Sequence, residues 1–130
     1  TALYAGVEET LYALEDCKLA VLTNKPYRFS RAMLEGLGVE HHFSVIYGGN
    51  SFDQKKPDPV GVFRILSETQ GRPESTWMVG DSSVDVMTGR NAGIMTCGVT
   101  YGYAADTFRD TPPDFLIDKI NELEDLIRDH

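Results

Sequence analysis

Cysteine is scarce in this chain. Cys17 and Cys97 are the only two in 130 residues; they lie far apart, form no C-x-x-C pair and sit inside apolar runs. That speaks against a structural disulfide and reads as two reduced thiols packed as small hydrophobes in a reducing, cytoplasmic compartment. Basic residues are outnumbered, with 12 Lys and Arg against 20 Asp and Glu and a net charge of -8. This is the wrong sign for holding a phosphate backbone, so nucleic acid is excluded as a partner. Long apolar runs are missing as well: none approaches the roughly 20 residues that span a bilayer, and no charged start precedes an apolar stretch. A membrane role is excluded on the same ground. Histidine is limited to His41, His42 and His130, without the spacing of helical metal ligands, and all three are expected to be exposed. What is present, 42% apolar and 25% charged residues, is enough for one globular domain burying about two-thirds of its unfolded surface.

Hydrophobic periodicity alternates along the chain. Val7, Leu11 and Leu14 mark a helical face within 6–16, and residues 18–23, KLAVLT, form a short apolar strand. Pro26 suits the first turn of a second helix with Phe29, Met33, Leu34 and Leu37 inward and glycines 36 and 38 at its end. Residues 43–49, FSVIYGG, are a second strand. Asp58 is expected to cap a helix starting at Pro59, with Val60, Phe63, Ile65 and Leu66 inside and Gly71 as its stop. Residues 75–81 read as a third strand, 82–93 as a helix with a serine cap and a glycine stop, and 94–100 as a fourth strand. Trp77 is assigned to the core. A weaker strand over 114–118 and a helix carrying Leu123, Leu126 and Ile127 close the chain. Strands alternating with helices imply an α/β, Rossmann-like, doubly wound and mostly parallel sheet with helices on both faces.

In such sheets ligands bind outside the carboxyl ends of the strands. After the first strand stand Thr23, Asn24 and Lys25; before the middle helix stand Lys55 and Lys56. After the third strand come Asp81, Ser82, Ser83 and Asp85, and the fourth leads into Thr100, Tyr101, Gly102 and Tyr103. Asp81 and Asp85, four apart where a strand turns into a helix, can approach one hard cation such as Mg²⁺. Helix capping explains the same two acids without a metal. Thr23 and the following backbone N–H groups can hold a phosphate oxygen, or simply form a strand-end turn. Lys56, locked against Pro57, can neutralise charge on a transferring phosphoryl group, or be a solvated loop lysine. The acids 106, 110 and 114 flank two prolines and read as a turn-forming loop. The signals gain weight from occurring together, in order, at successive strand ends.

With these residues the chain resembles the haloacid-dehalogenase superfamily of phosphotransferases, its phosphoglycolate phosphatase branch above all. LAVLTNKP resembles the second family motif with Thr23, KKPDP the third with Lys56, and MVGDSSVDVMTGRNAG the fourth with Asp81 and Asp85. The resemblance covers nearly the whole chain, and the fourth motif is its most specific part. It implies a Mg²⁺-dependent hydrolysis of a small phosphomonoester, 2-phosphoglycolate by preference, in the cytoplasm. Thr23 and the Asn24 amide would bind phosphate oxygens, Lys56 would stabilise phosphate and the attacking carboxylate, and Asp81 would ligate Mg²⁺ with Asp85 beside it. Thr23 and Lys56 are the catalytic candidates, and Asp81 and Asp85 the metal residues.

The family's first motif, Asp-x-Asp-x-Thr, has no counterpart, since no two aspartates stand two apart. Its first aspartate would form the aspartyl-phosphate, and its second would act as general acid and base. The resemblance therefore implies that residues 1–130 are a partial core domain, motifs two to four, without the helical cap and by themselves inactive. It also implies a sheet lacking its central first strand, between the strands ending at Thr23 and Asp81. Such a slot would be roughly 10 Å wide, to be filled by an amino-terminal segment or a second copy, or closed by movement of the strands. Another phosphatase, a pyrophosphatase or a phosphomutase would keep the same three motifs, and a non-catalytic interaction module would keep the scaffold alone. A phospho-acceptor receiver domain needs acids at its first strand end, which are absent here.

Overall fold

The computed structural model describes residues 5–102 and 104–130; Tyr103, one of the strand-end residues, lies outside them. In chain order the elements are α1 (Val7–Ala13), β1 (Ala20–Leu22), α2 (Tyr27–Gly36), β2 (Val45–Tyr47), α3 (Val60–Thr69), β3 (Trp77–Gly80), α4 (Ser83–Ala92), β4 (Met95–Val99), β5 (Phe115–Ile117) and α5 (Leu123–Asp129). All strand pairing is parallel, as expected of an α/β protein, but it forms two sheets, β1-β2 and β3-β4-β5. The sheets belong to two compact units: Thr1–Asp53 with Lys119–His130, and Gln54–Asp118.

In the first unit β1 and β2 run in register from Ala20 beside Val45 to Leu22 beside Tyr47. The pairing continues one residue further, where the Thr23 N–H donates to the Tyr47 carbonyl at 3.1 Å. The inward positions of α1 follow helical spacing through Thr10 and Leu14, both buried. Arg128 of α5 grips the end of α1 with a bidentate pair to Asp16, 3.1 and 3.0 Å, and a further bond to the Ala13 carbonyl.

In the second unit α4 packs on β3 and β4, burying Val86, Thr88 and Ala92. Gly93 ends α4 with φ 74, as a glycine stop should. The register of β4 against β5 is pinned beyond both ends of the ladder. Asp114 accepts the Thr96 N–H and hydroxyl at 2.9 and 3.0 Å, and Thr100 donates to Asp118 at 2.8 Å. Both pairs have the sequence offset of the ladder itself. Trp77 is half-buried, its ring 5.5 Å from that of Phe115. Cys97 is buried, Cys17 half-buried, and both are free thiols. Burial and the neighbouring Asp16 carboxylate push the Cys17 thiol above its ordinary value.

Several local expectations need correction. Phe29 and Phe63 are exposed: Met33, Leu34 and Leu37, and Ile65 and Leu66, face inward as expected, but Ser30 and Val62 take the inward places beside them. A small residue, Ser30 or Gly61, sits where each helix is most deeply buried, and the adjacent large ring is left outside. Asp58 accepts the Val60 N–H at 2.9 Å but is not the cap residue: the helix begins at Val60 and Pro59 holds the cap position. The left-handed residue closing α3 is Gln70, φ 57, rather than Gly71. His41 is exposed, yet His42 is not. Successive side chains of the 3-10 turn Glu40–His42 point about 120° apart, so the second ring turns inward. It meets Tyr12 edge-on at 4.7 Å, with its Nε2 buried and without a hydrogen-bond partner.

Candidate active site

Two strand ends carry the candidate residues, one in each unit. In the first, Thr23 closes β1. Its Oγ accepts the Lys25 N–H at 3.2 Å, which leaves the hydroxyl proton available to donate outward. The following turn is held by backbone. The Gly49 N–H donates to the Lys25 carbonyl at 2.6 Å, and a Cβ on Gly49 would lie 2.1 Å from the Asn24 carbonyl oxygen. Only glycine permits this approach. The Tyr27 N–H, at the start of α2, donates to the Asn50 side chain at 2.9 Å. Asn24 is exposed at the tip, and the Lys25 ammonium rests over the Phe29 ring at 5.8 Å.

In the second unit Lys56, Asp81 and Asp85 are brought together. The Lys56 Nζ lies 2.6 Å from Asp85 Oδ1, with side-chain exposures of 12% and 10%, so this is a largely buried ion pair and not a solvated lysine. The other carboxylate oxygen, Oδ2, accepts the Asp81 N–H at 3.0 Å. A Cβ on Gly80 would lie 2.1 Å from that oxygen, so the glycine before Asp81 is required for the carboxylate to reach back over the strand end. Lys56 precedes a cis peptide bond to Pro57. Its loop is tied by the Asp58 N–H to the Lys55 carbonyl, 2.9 Å, and by Asn91 Nδ2 to the Pro57 carbonyl, 3.0 Å.

Asp81 is half-buried, and its carboxylate has no hydrogen-bond or ion-pair partner among the described residues. An acidic group left unpaired at a strand end fits one ligand position of a hard divalent cation, which commonly takes one or two carboxylates and completes its shell with water and substrate phosphate. Asp85 differs. One of its oxygens faces an ammonium and the other a backbone amide, so it holds Lys56 and shapes the turn. Among the described residues no cluster of three or more His, Cys, Asp or Glu side chains forms a ready-made metal cage.

Ser82 occupies the position before α4 without bonding a helix amide through its side chain. The Ser83 N–H is taken by Thr107 Oγ1 at 2.9 Å. Thr107 and Asn91 were not legible as site residues, because each acts across 24 and 34 positions of sequence. Lys55 is exposed, and Thr100 is engaged with Asp118. Thr23 and Asn24 belong to the first unit, apart from this trio in the division of the chain.

Known proteins with the same pattern give these strand ends a context. The family model described as haloacid dehalogenase-like hydrolase matches residues 1–99. A phosphoglycolate phosphatase of Vibrio vulnificus (strain YJ016) is 38% identical over 128 residues, covering 96% of this chain and 56% of the relative. One of Vibrio cholerae serotype O1 is 39% identical over 128 residues, with 96% and 57% covered. The crystal structure of a predicted phosphoglycolate phosphatase from Haemophilus somnus 129pt superimposes with a TM-score of 0.90 at 33% identity, over 95% of this chain and 56% of that one. The chain thus spans about half the length of the relatives it matches. Among the described residues no helix is long and apolar enough to cross a membrane.

Proposed function

Because the chain belongs to the haloacid dehalogenase-like hydrolase family, we propose that it forms motifs two to four of the core of a Mg²⁺-dependent phosphatase for small phosphomonoesters, with 2-phosphoglycolate as substrate. The observation that carries this reading is the largely buried Lys56–Asp85 pair beside the Asp81 carboxylate, which has no hydrogen-bond or ion-pair partner among the described residues, and the relatives' shared activity favours the substrate. Thr23 donates its hydroxyl, and Asn24 its backbone N–H, to the oxygens of the transferring phosphate. Lys56 sets one fixed positive charge against that phosphate, and Asp85 keeps the ammonium aimed by occupying its other side. Asp81 would hold the Mg²⁺ that the family typically uses, and the bound ion supplies charge neutralisation on phosphate oxygens.

Covalent transfer needs an aspartate nucleophile and an acid–base partner. The Asp-x-Asp pair is absent from these 130 residues, so polypeptide beyond them has to supply it. The 130-residue chain refolded from denaturant is expected to release no phosphate.

The test is phosphate release from 2-phosphoglycolate by the full-length protein, with Mg²⁺ and after chelation. Asp81→Ala is expected to abolish Mg²⁺-dependent turnover. Undiminished turnover in that variant would overturn the assignment of Asp81, and no turnover by the unsubstituted protein would overturn the phosphatase reading.

A further inference from the structure

Two bonds join the loop that carries Lys56 to α4, and the proposed phosphatase chemistry draws on the first of them. The first is the ion pair to Asp85 Oδ1 at 2.6 Å. The second is the amide of Asn91, six residues further along the same helix, whose Nδ2 donates to the Pro57 carbonyl at 3.0 Å. We propose that Asn91 is a positioning residue for Lys56, setting the depth and direction from which the ammonium meets Asp85 and the phosphate.

The geometry favours this for three reasons. Pro57 and Pro59 have no N–H, so the loop 55–59 offers few backbone donors with which to fasten itself. The internal bonds it does make, Asp58 N–H to the Lys55 carbonyl and Val60 N–H to the Asp58 carboxylate, shape the turn and tie it to α3. They do not fix it to α4. A flexible four-carbon side chain joins Lys56 Nζ to its backbone, so the ion pair alone tolerates a range of backbone positions. The Asn91 bond removes that freedom at the residue next to Lys56. Asn91 is exposed while Asp85 is buried, so the first can be changed without opening the core around the second.

This inference rests on the phosphatase reading, and its test separates the two. In the full-length protein, Asn91→Ala is expected to lower kcat for 2-phosphoglycolate about fivefold, the scale of one lost hydrogen bond, while KM moves less than about twofold, since a displaced Lys56 weakens transition-state more than ground-state contact. Hydrogen exchange over residues 55–58 should quicken, with the amides of β4 unchanged. In a Lys56→Arg background the Asn91→Ala effect on kcat should shrink, because residues acting through one another are not additive. Asn91→Asp, of the same shape but turning an acceptor toward the Pro57 carbonyl, should behave as Ala or worse. Additive loss in the Lys56→Arg background, or unchanged exchange over 55–58, would overturn the role of Asn91. If the unsubstituted protein releases no phosphate, the phosphatase reading falls, and exchange over 55–58 still decides whether Asn91 holds the loop.

Discussion

The two units build their strand ends from different materials. After β1 the turn through Thr23 and Lys25 joins backbone to backbone through the Gly49 N–H on the Lys25 carbonyl and a glycine whose missing Cβ lets two strand ends touch, with only neutral side chains, Thr23 and Asn50, accepting further backbone N–H groups. After β3 the turn is held by side chains, with the Asp85 carboxylate bridging the Lys56 ammonium and the Asp81 amide. A backbone-built turn tolerates loss of side chains and fails when bulk is added. A side-chain-built turn weakens when a charge is removed, because a largely desolvated ion pair is broken.

Asp85→Ala breaks the second design most severely. Breaking the largely buried Lys56–Asp85 ion pair is expected to destabilise the second unit by about 3 kcal/mol, read as faster hydrogen exchange through α4 and β4 in the full-length protein, with β1 and β2 less affected. A uniform change across both units would contradict the contrast. Gly49→Ala attacks the first design and should cost about 1–3 kcal/mol, the usual range for forcing atoms into a packed site. Its exchange effect is expected in residues 23–27. Thr96→Val removes two hydrogen bonds to Asp114 and is expected to cost about 1–3 kcal/mol, with exchange rising at the β4–β5 ladder first. The smallest effect concerns the pair that ties α5 to α1. Arg128 holds the Asp16 carboxyl below its ordinary value. A depressed acid contributes stability above its unfolded pKa, near 3.9, and loses it as pH falls through the folded value. The urea midpoints of Asp16→Asn and the unsubstituted protein should therefore differ slightly at pH 7, the difference shrinking as pH falls below the ordinary carboxylate range.

The order of the candidate residues is legible in the residues alone: Thr23 and Asp81 follow apolar runs that read as strands, Lys56 precedes a helix, and Asp85 lies in the first turn of the helix after Asp81. Helix faces were legible to within one residue. Phe29 and Phe63 were misplaced because periodicity identifies an apolar arc, whereas the centre of that arc is decided by which small residue can approach the sheet. His42 was misplaced for a related reason: adjacency in sequence says nothing about which side chain of a 3-10 turn points inward.

The sequence by itself determined the element order, the parallel α/β class, the absence of an Asp-x-Asp pair and which side chains stand at the strand ends as candidates for phosphate and a divalent cation. These follow from side-chain chemistry and from the periods of helix and strand, which act over a few residues. Tertiary structure decided which of two acids is paired among the described residues, that Lys56 meets Asp85 in a largely buried ion pair, and that Asn91 bonds the Pro57 carbonyl while Thr107 bonds the Ser83 N–H. Those outcomes depend on distances between groups 24 to 34 positions apart, and a hydrogen bond is won or lost over less than 1 Å.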